Sequence, residues 1–164
     1  MLATPGGAAE GDTTGSPLTQ SGPAIASQEF TDQFGAVDSL AHHRGNSVTV
    51  VVVTIRRLGM IERWERDLSA RAPGMHFMNV ADLPVDANVD LDRTAQTLRK
   101  RVPAGVAVLM DPGGAWAKAF HLDTTLPNLL LFDAEGKLKA RFRGRWSPML
   151  ADEVMAAASG DHSG

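Results

Sequence analysis

The chain has 164 residues, 43% of them hydrophobic, and a formal net charge of −3. This length suffices for one domain with a packed core and leaves little room for a second. The charge argues against a general nucleic-acid-binding protein, and no apolar run approaches the roughly 20 residues that span a bilayer. The sequence contains no cysteine, so disulfides, thiolate nucleophiles and cysteine metal sites are excluded.

The two ends of the chain lack the patterns of folded elements. Residues 1–28 are rich in Gly, Ala, Ser, Thr and Pro without periodicity, which predicts a flexible tail. Neither the charged nor the apolar region of a signal peptide occurs there. Residues 159–164 predict a second, shorter tail, so we expect one domain over residues 29–158.

Strand and helix patterns alternate through this domain. A turn at 32–35 predicts a short N-terminal hairpin, and β-branched apolar runs then predict central strands covered on both faces. Apolar residues at helical spacing predict the helices between them. In chain order, the predicted elements are strand 48–55, helix 58–70, strand 75–80, helix 91–102, strand 106–110, helix 115–121, strand 128–132, a tight turn at 133–136, strand 137–143 and helix 148–158.

The order of these elements predicts the topology. Strands separated by helices favour parallel pairing with right-handed crossovers, and the tight turn favours one antiparallel pair. We therefore predict an α/β three-layer sandwich with a mixed central sheet, helices on both faces and an N-terminal β-hairpin.

Several segments resemble the redoxin domains, the thioredoxin-like group that includes peroxiredoxins and thioredoxin-like reductases. These segments are Phe30–Gly35 with Leu40 and Gly45, Asp111–Phe120, Leu126–Asp133, Glu135–Lys137 and Phe142–Gly144. The resemblance covers roughly residues 29–158 and implies a thioredoxin-like fold. Related reductases are often exported in bacteria, so the compartment stays open between the cytoplasm and, for a chain whose signal peptide was removed, the bacterial envelope (periplasm).

The same resemblance locates the missing cysteines. Redox-active members carry Cys-x-x-Cys, or one peroxidatic Cys, after the first central strand. This chain instead reads Thr54-Ile55-Arg56-Arg57-Leu58-Gly59-Met60-Ile61-Glu62. The resemblance therefore implies a thioredoxin-like domain without intrinsic thiol redox activity, similar to a subset of bacterial proteins that keep the fold and have lost the cysteines.

The resemblance also implies a cis peptide bond before Pro127, facing the helix that would carry the cysteines. A cis X–Pro bond costs only about 0.5–1 kcal/mol, and it would leave backbone groups free to pair with an extended peptide. We predict a protein- or peptide-binding groove formed by Ile55, Arg56, Arg57, Leu58, Thr125, Leu126 and Pro127. The alternative is that the proline belongs to the fold and binds nothing.

Arg56 and Arg57 lie at the predicted start of a helix, where two guanidinium groups suit a carboxylate, phosphate or sulfate. The interpretation we favour is a solvated loop whose charges pair with Glu62 or Glu65.

Other charged groups indicate no further site. A basic stripe on the last predicted strand is typical of a protected sheet edge and favours neither nucleic-acid nor membrane binding. It consists of Lys137, Lys139, Arg141, Arg143 and Arg145. No His or acidic residues have the spacing of metal ligands, so we expect neither a metal nor a cofactor. The sequence does not determine the oligomeric state, and we favour a monomer.

Three functions are compatible with these features of the sequence. We favour a Cys-free thioredoxin-like domain that binds a protein or peptide segment beside Pro127. One alternative is a redoxin-family protein that assists redox or antioxidant chemistry with a thiol supplied by a partner, and the other is a structural or assembly domain.

Overall fold

A seven-stranded mixed sheet forms the centre of the structure, a computed structural model that describes residues 22–83 and 88–160. In chain order, the elements are α1 (Gly22–Ser27), β1 (Phe30–Asp32), β2 (Val37–Asp38), β3 (Val48–Thr54), α2 (Gly59–Arg71), β4 (His76–Leu83), α3 (Leu91–Arg101), β5 (Val108–Pro112), α4 (Ala115–Phe120), β6 (Asn128–Phe132), β7 (Leu138–Arg143) and α5 (Pro148–Ser159). Short 3₁₀ turns cover Leu40–His43 and Ile55–Arg57. Within this part of the chain, no helix has the length and apolar character needed to cross a membrane.

The strand order is β2-β1-β5-β4-β3-β6-β7. Strands β3, β4 and β5 are parallel, and β6 and β7 complete one side of the sheet as antiparallel strands. The β1–β2 hairpin adds antiparallel to β5 on the other side. The predicted mixed sheet and N-terminal hairpin are therefore confirmed.

Helices cover both faces of the sheet and form two hydrophobic cores. Helices α2, α3 and α5 bury Trp64, Leu98 and Val154 against one face. Helix α4 buries Trp116 and Phe120 against the other. Residues 48–53 of β3 are buried throughout because the strand is covered on both sides.

Local hydrogen bonds explain where two of the helices begin. The Asp90 side chain accepts from the N–H of Arg93 at 3.1 Å and caps α3. Ser147 accepts from the N–H of Leu150 at 3.1 Å and caps α5, with Pro148 in its first turn. Both helices begin at the residues predicted from the sequence, 91 and 148.

The predicted flexible tail over residues 1–28 is wrong for its last part. Residues 22–27 form helix α1, whose Ile25 is only 3% exposed. Ile25 joins the core that contains Phe30 and Leu40. A single apolar anchor in a short segment produces no periodic pattern, so this docking depends on tertiary contacts. Residues 1–21 and 161–164 of the predicted tails lie outside the described residues, whereas Ser159 ends α5.

We expect Ile25→Ala to lower the free energy of unfolding by about 2 kcal/mol, because truncating a buried Ile leaves a cavity. Ser27 is exposed on the same helix, so Ser27→Ala is the matched control and should change stability by less than about 0.5 kcal/mol. Urea unfolding followed by circular dichroism measures both. Equal stabilities for the two variants would show that α1 does not contribute to the core.

Candidate functional site

The two segments predicted to form the site, residues 55–58 and 125–127, lie near the carboxyl end of β3. The chain leaves β3 at Thr54, forms the 3₁₀ turn Ile55–Arg57 and starts α2 at Gly59. On the neighbouring strand β6, Asn128 pairs with Val52, which places Pro127 beside the last residues of β3. Segments 55–58 and 125–127 therefore both lie at this edge of the sheet.

The predicted site residues differ in exposure. Leu58 is 2% exposed and Pro127 is also buried, so both support the site from within the core. Ile55 is half-buried and packs against the same core as Trp64. The residues that a ligand can reach from this set are Arg56, Arg57, Thr125 and Leu126, which are exposed or half-buried.

The predicted cis bond before Pro127 is wrong: the Leu126–Pro127 peptide is trans, as are all other peptide bonds of the described residues. Neighbouring hydrogen bonds hold the loop in this form. The Leu126 carbonyl accepts from Asn128 Nδ2 at 3.1 Å, and the Pro127 carbonyl accepts from the N–H of Gly144 at 2.9 Å. These two carbonyls are already paired, so they are not free for an extended peptide as the sequence had led us to expect.

Arg143, at the end of β7, also fixes the loop that precedes Pro127. Its guanidinium donates to the Asp123 carboxylate at 2.7 Å and to the Thr125 hydroxyl at 2.8 Å. Thr125 donates to the same carboxylate through its hydroxyl at 2.6 Å and its N–H at 3.0 Å. The two hydrogen bonds from Thr125, together with the charge of Arg143, hold the pKa of Asp123 below its usual value. Thr125 is therefore an internal bridge within the loop.

The basic stripe follows the predicted alternation, with charged residues exposed along the edge strand β7. Besides Arg143, Arg141 donates to the Phe120 carbonyl at the end of α4 at 2.9 Å. Lys139 lies 3.7 Å from the Asp133 carboxylate. These cations hold neighbouring segments as well as protecting an edge.

The pairing that we favoured for Arg56 and Arg57 is not formed. Glu62 lies 3.4 Å from the guanidinium of Arg66, one turn further along α2. Glu65 accepts from Asn79 Nδ2 at 2.7 Å. Within the described residues both acids are thus engaged elsewhere, and the two arginines in the turn before α2 form no ion pair.

A groove of about 330 Å³ opens beside these segments, between the first turn of α2 and the residues that follow β7. It is lined by Gly59, Met60, Arg63, Arg145 and Trp146. Gly144 connects it to the predicted site, because its N–H bonds to Pro127 and its carbonyl accepts from Trp64 Nε1 at 3.4 Å. From the sequence, Arg145 was assigned to the basic stripe, whereas neither Arg63 nor Trp146 was predicted to belong to the site.

The groove combines an aromatic face with hydrogen-bond donors. The Arg63 guanidinium carbon lies 3.9 Å from the centroid of the Trp146 ring, within the range of a cation–π contact. Trp146 is half-buried, and its Nε1 atom is buried without a hydrogen-bond partner in the described structure. A Cβ on Gly59 would meet no atom within 4 Å, so this glycine opens the groove without being required by packing. The first N–H groups of a helix such as α2 lack intrahelical acceptors.

Two carboxylates lie side by side at the ends of β4 and β5, where Asp82 pairs with Asp111. Asp111 is fully buried and accepts from the N–H groups of Ala115 and Trp116 at 2.9 and 3.0 Å. Burial raises the pKa of Asp111, and the charge of Asp82 adds to this effect. Asp82 accepts from the Thr124 hydroxyl at 2.6 Å. Both carboxylates are engaged internally, and residues 22–83 and 88–160 bring no three His, Asp or Glu side chains together for a metal ion.

A second cavity, of about 370 Å³, lies at the opposite end of β3 and β4. Val48, Met75, His76 and Met155 are among its lining residues. It is far from the segments predicted to form the site.

Comparison with known protein families and with curated proteins finds no match. Solved structures do share the fold. The exposed lipoprotein thioredoxin Etrx1 of Streptococcus pneumoniae is 16% identical over 80% of this chain and 97% of its own, with a TM-score of 0.65. Peroxiredoxin Q of Xanthomonas campestris is 16% identical over 84% of this chain and 94% of its own, with a TM-score of 0.60. StoA of Bacillus subtilis is 14% identical over 83% of this chain and 99% of its own, with a TM-score of 0.57.

Similarity at these identities establishes the fold, which confirms the sequence prediction. The chain is a thioredoxin-like α/β domain, and it contains no cysteine.

Proposed function

We propose that this chain is a non-catalytic thioredoxin-like domain that binds a segment of another protein in the groove between α2 and Trp146. The single observation that carries the proposal is the half-buried indole of Trp146, which lines this groove and lies under the Arg63 guanidinium, while its Nε1 atom is buried. Aromatic and arginine side chains are the residue types enriched at the energetic centres of protein interfaces.

The position of the groove supports the same function. It lies at the carboxyl ends of the parallel strands, the edge at which open α/β sheets bind their ligands. The buried Leu58 directly precedes the lining residue Gly59, and the carbonyl of the buried Pro127 accepts from the N–H of Gly144, which precedes the lining residue Arg145. The groove of this proposal therefore keeps the predicted location beside Pro127 but uses side chains on α2 and after β7 as its binding surface.

The absence of a cysteine excludes thiol-dependent catalysis by the chain itself. Thiol–disulfide exchange and peroxide reduction by such domains need a cysteine thiolate, which this sequence does not contain. A binding function needs only the shape and the donors of the groove.

The indole N–H resonance of Trp146 reports directly on occupancy of the groove. We expect titration with short extended peptides that contain leucine to shift this resonance in ¹H–¹⁵N spectra. Trp116 is fully buried on the opposite face of the sheet and serves as the internal control. If no peptide moves the Trp146 resonance, the proposed function is wrong.

A steric variant provides a second test. Gly59→Leu places a side chain in the groove and should weaken peptide binding at least roughly tenfold, because no packed atom has to move to accommodate it. Gly74→Leu is the matched control, since a Cβ there also meets no atom within 4 Å and the site is at the other end of α2. Equal peptide affinities for the two variants would contradict the location of the site.

A further inference from the structure

The groove contains cationic groups without an acidic partner. Arg63 and Arg145 both line it, and neither forms a hydrogen bond or ion pair with another described residue beyond the contact of Arg63 with the Trp146 ring. No Asp or Glu is among the lining residues. The ionised groups that line the groove are therefore both guanidinium groups, which supply positive charge and hydrogen-bond donors.

The neighbouring acids cannot neutralise these arginines in the observed arrangement. On α2, Glu62 lies 3.4 Å from Arg66, and Asp67 lies 2.8 Å from Arg71. Glu65 binds Asn79 on β4. Each acid of the helix is thus already engaged with another residue, so the groove leaves its positive charge open to a negatively charged ligand.

The contact between Arg63 and Trp146 favours one kind of negative group. A guanidinium that lies over an indole face keeps its in-plane N–H groups available, and these match the two oxygens of a carboxylate. The stack also restricts the side chain before binding, which reduces the entropy lost on forming the pair.

Apolar side chains line the groove beside the charges. Met60 and the ring of Trp146 are both among its lining residues. Methionine side chains at such surfaces adapt to apolar side chains of different shapes. The combination suits a carboxylate that is followed or preceded by an apolar side chain.

We infer that the segment bound in this groove belongs to a partner protein and presents a carboxylate to Arg63 and Arg145, next to an apolar side chain that packs on Trp146 and Met60. The inference rests on the proposed function and specifies the chemistry of its ligand. Arg56 and Arg57, in the turn before α2, add positive charge near the start of the helix. The pair forms at a partly exposed site, so its affinity decreases as salt concentration rises.

Three peptides of leucine and alanine test this chemistry with the full chain. The first is acetylated and amidated with one central glutamate, the second replaces the glutamate by glutamine, and the third has no acidic side chain but a free C-terminal carboxylate. We expect the glutamate peptide to bind at least roughly tenfold more tightly than the glutamine peptide, with a shift of the Trp146 indole resonance. If the third peptide binds tightly, the groove accepts a C-terminal carboxylate. If the third peptide does not bind while the glutamate peptide does, the groove requires a side-chain carboxylate. Either result agrees with the inference.

Variants assign the preference to Arg63. Arg63→Met should remove the preference for glutamate over glutamine, whereas Arg66→Met, on the same helix but outside the groove, should keep it. Equal binding of the glutamate and glutamine peptides to the unmodified chain, with the Trp146 resonance shifted, would overturn the carboxylate inference and leave the proposed function intact. No shift with any peptide would overturn both.

Two further measurements without peptide exclude other occupants. A Trp146 shift that depends on protein concentration would indicate a second copy of the chain, and a shift in the Glu10→Gln, Asp12→Asn double variant would indicate the chain's own acidic N-terminal segment. Either result would overturn the assignment to a partner protein. We expect neither shift.

Discussion

Replacing Trp64 by alanine is expected to lower the free energy of unfolding by about 3–5 kcal/mol. Trp64 lies on α2, is fully buried, and belongs to the core that contains Leu68 and Leu98. Its truncation removes a large buried surface and leaves a cavity between the helix and the sheet. It also removes the donor that bonds to the Gly144 carbonyl at 3.4 Å, so a partly buried carbonyl loses its side-chain partner.

Urea unfolding with a constant m-value measures this change. Trp64→Phe serves as the companion variant, because it keeps most of the packing and removes only the N–H donor, and it should cost about 1 kcal/mol. Since Gly144 directly precedes Arg145 and Trp146, we also expect the phenylalanine variant to shift the Trp146 indole resonance. A cost below about 1 kcal/mol for the alanine variant would contradict the packing described for α2.

The main elements of the fold could be predicted because their signals are local. The buried run at residues 50–53 is typical of a strand covered on both faces, and the structure starts β3 at the predicted residue and ends it one residue earlier. Asp90 and Ser147 mark helix starts through hydrogen bonds to N–H groups three residues ahead. Signals of this kind do not depend on where the rest of the chain lies.

Features that depend on distant contacts were missed. Helix α1 holds its place through Ile25, whose partners Trp116 and Phe120 come from α4. The bond before Pro127 is trans, and the Pro127 carbonyl accepts a hydrogen bond from Gly144, which directly follows β7. Both contacts join segments that are separated in sequence, so a local pattern could not reveal them.

The location of the candidate site remains a prediction, whereas its composition differs from the expected one. The sequence places segments 55–58 and 125–127 at one edge of the sheet, because a central strand and its neighbour both lead to that edge. It could not show that Arg63 and Trp146 meet, since one lies on α2 and the other precedes α5. The buried Pro127 contributes support to the site, whereas the groove is lined by side chains that carry no recognisable motif.

Asp111→Ala is expected to lower the free energy of unfolding by about 3 kcal/mol at neutral pH. The fully buried carboxylate of Asp111 is the acceptor for the N–H groups of Ala115 and Trp116, the first two residues of α4. Alanine leaves both donors without that acceptor in the core. Thermal or urea unfolding measures the loss, and a change below about 0.5 kcal/mol would show that α4 does not depend on this carboxylate.

Asp111→Asn isolates the effect of the charge. Burial raises the pKa of Asp111, so the folded protein binds this proton more tightly than the unfolded chain does. In the pH range between the unfolded pKa of about 3.9 and the raised folded pKa, the contribution of this group to the free energy of unfolding therefore falls as pH rises. The asparagine variant lacks the titration, and the stability of the unmodified chain relative to it should decrease with rising pH across this window.

The informative quantity is the difference in the free energy of unfolding between the unmodified chain and the Asp111→Asn variant. Asp123 and Asp133 have lowered pKa values, which stabilise the fold above the unfolded pKa and lose this effect as pH falls through their folded values. Because both residues are present in both proteins, their contributions cancel in the difference. A difference that stays constant or rises with pH would contradict the raised pKa of Asp111. A difference that decreases with rising pH would instead mean that the charge of the buried Asp111 carboxyl group lowers the stability of the fold. The two hydrogen bonds that this group accepts would still stabilise the start of α4.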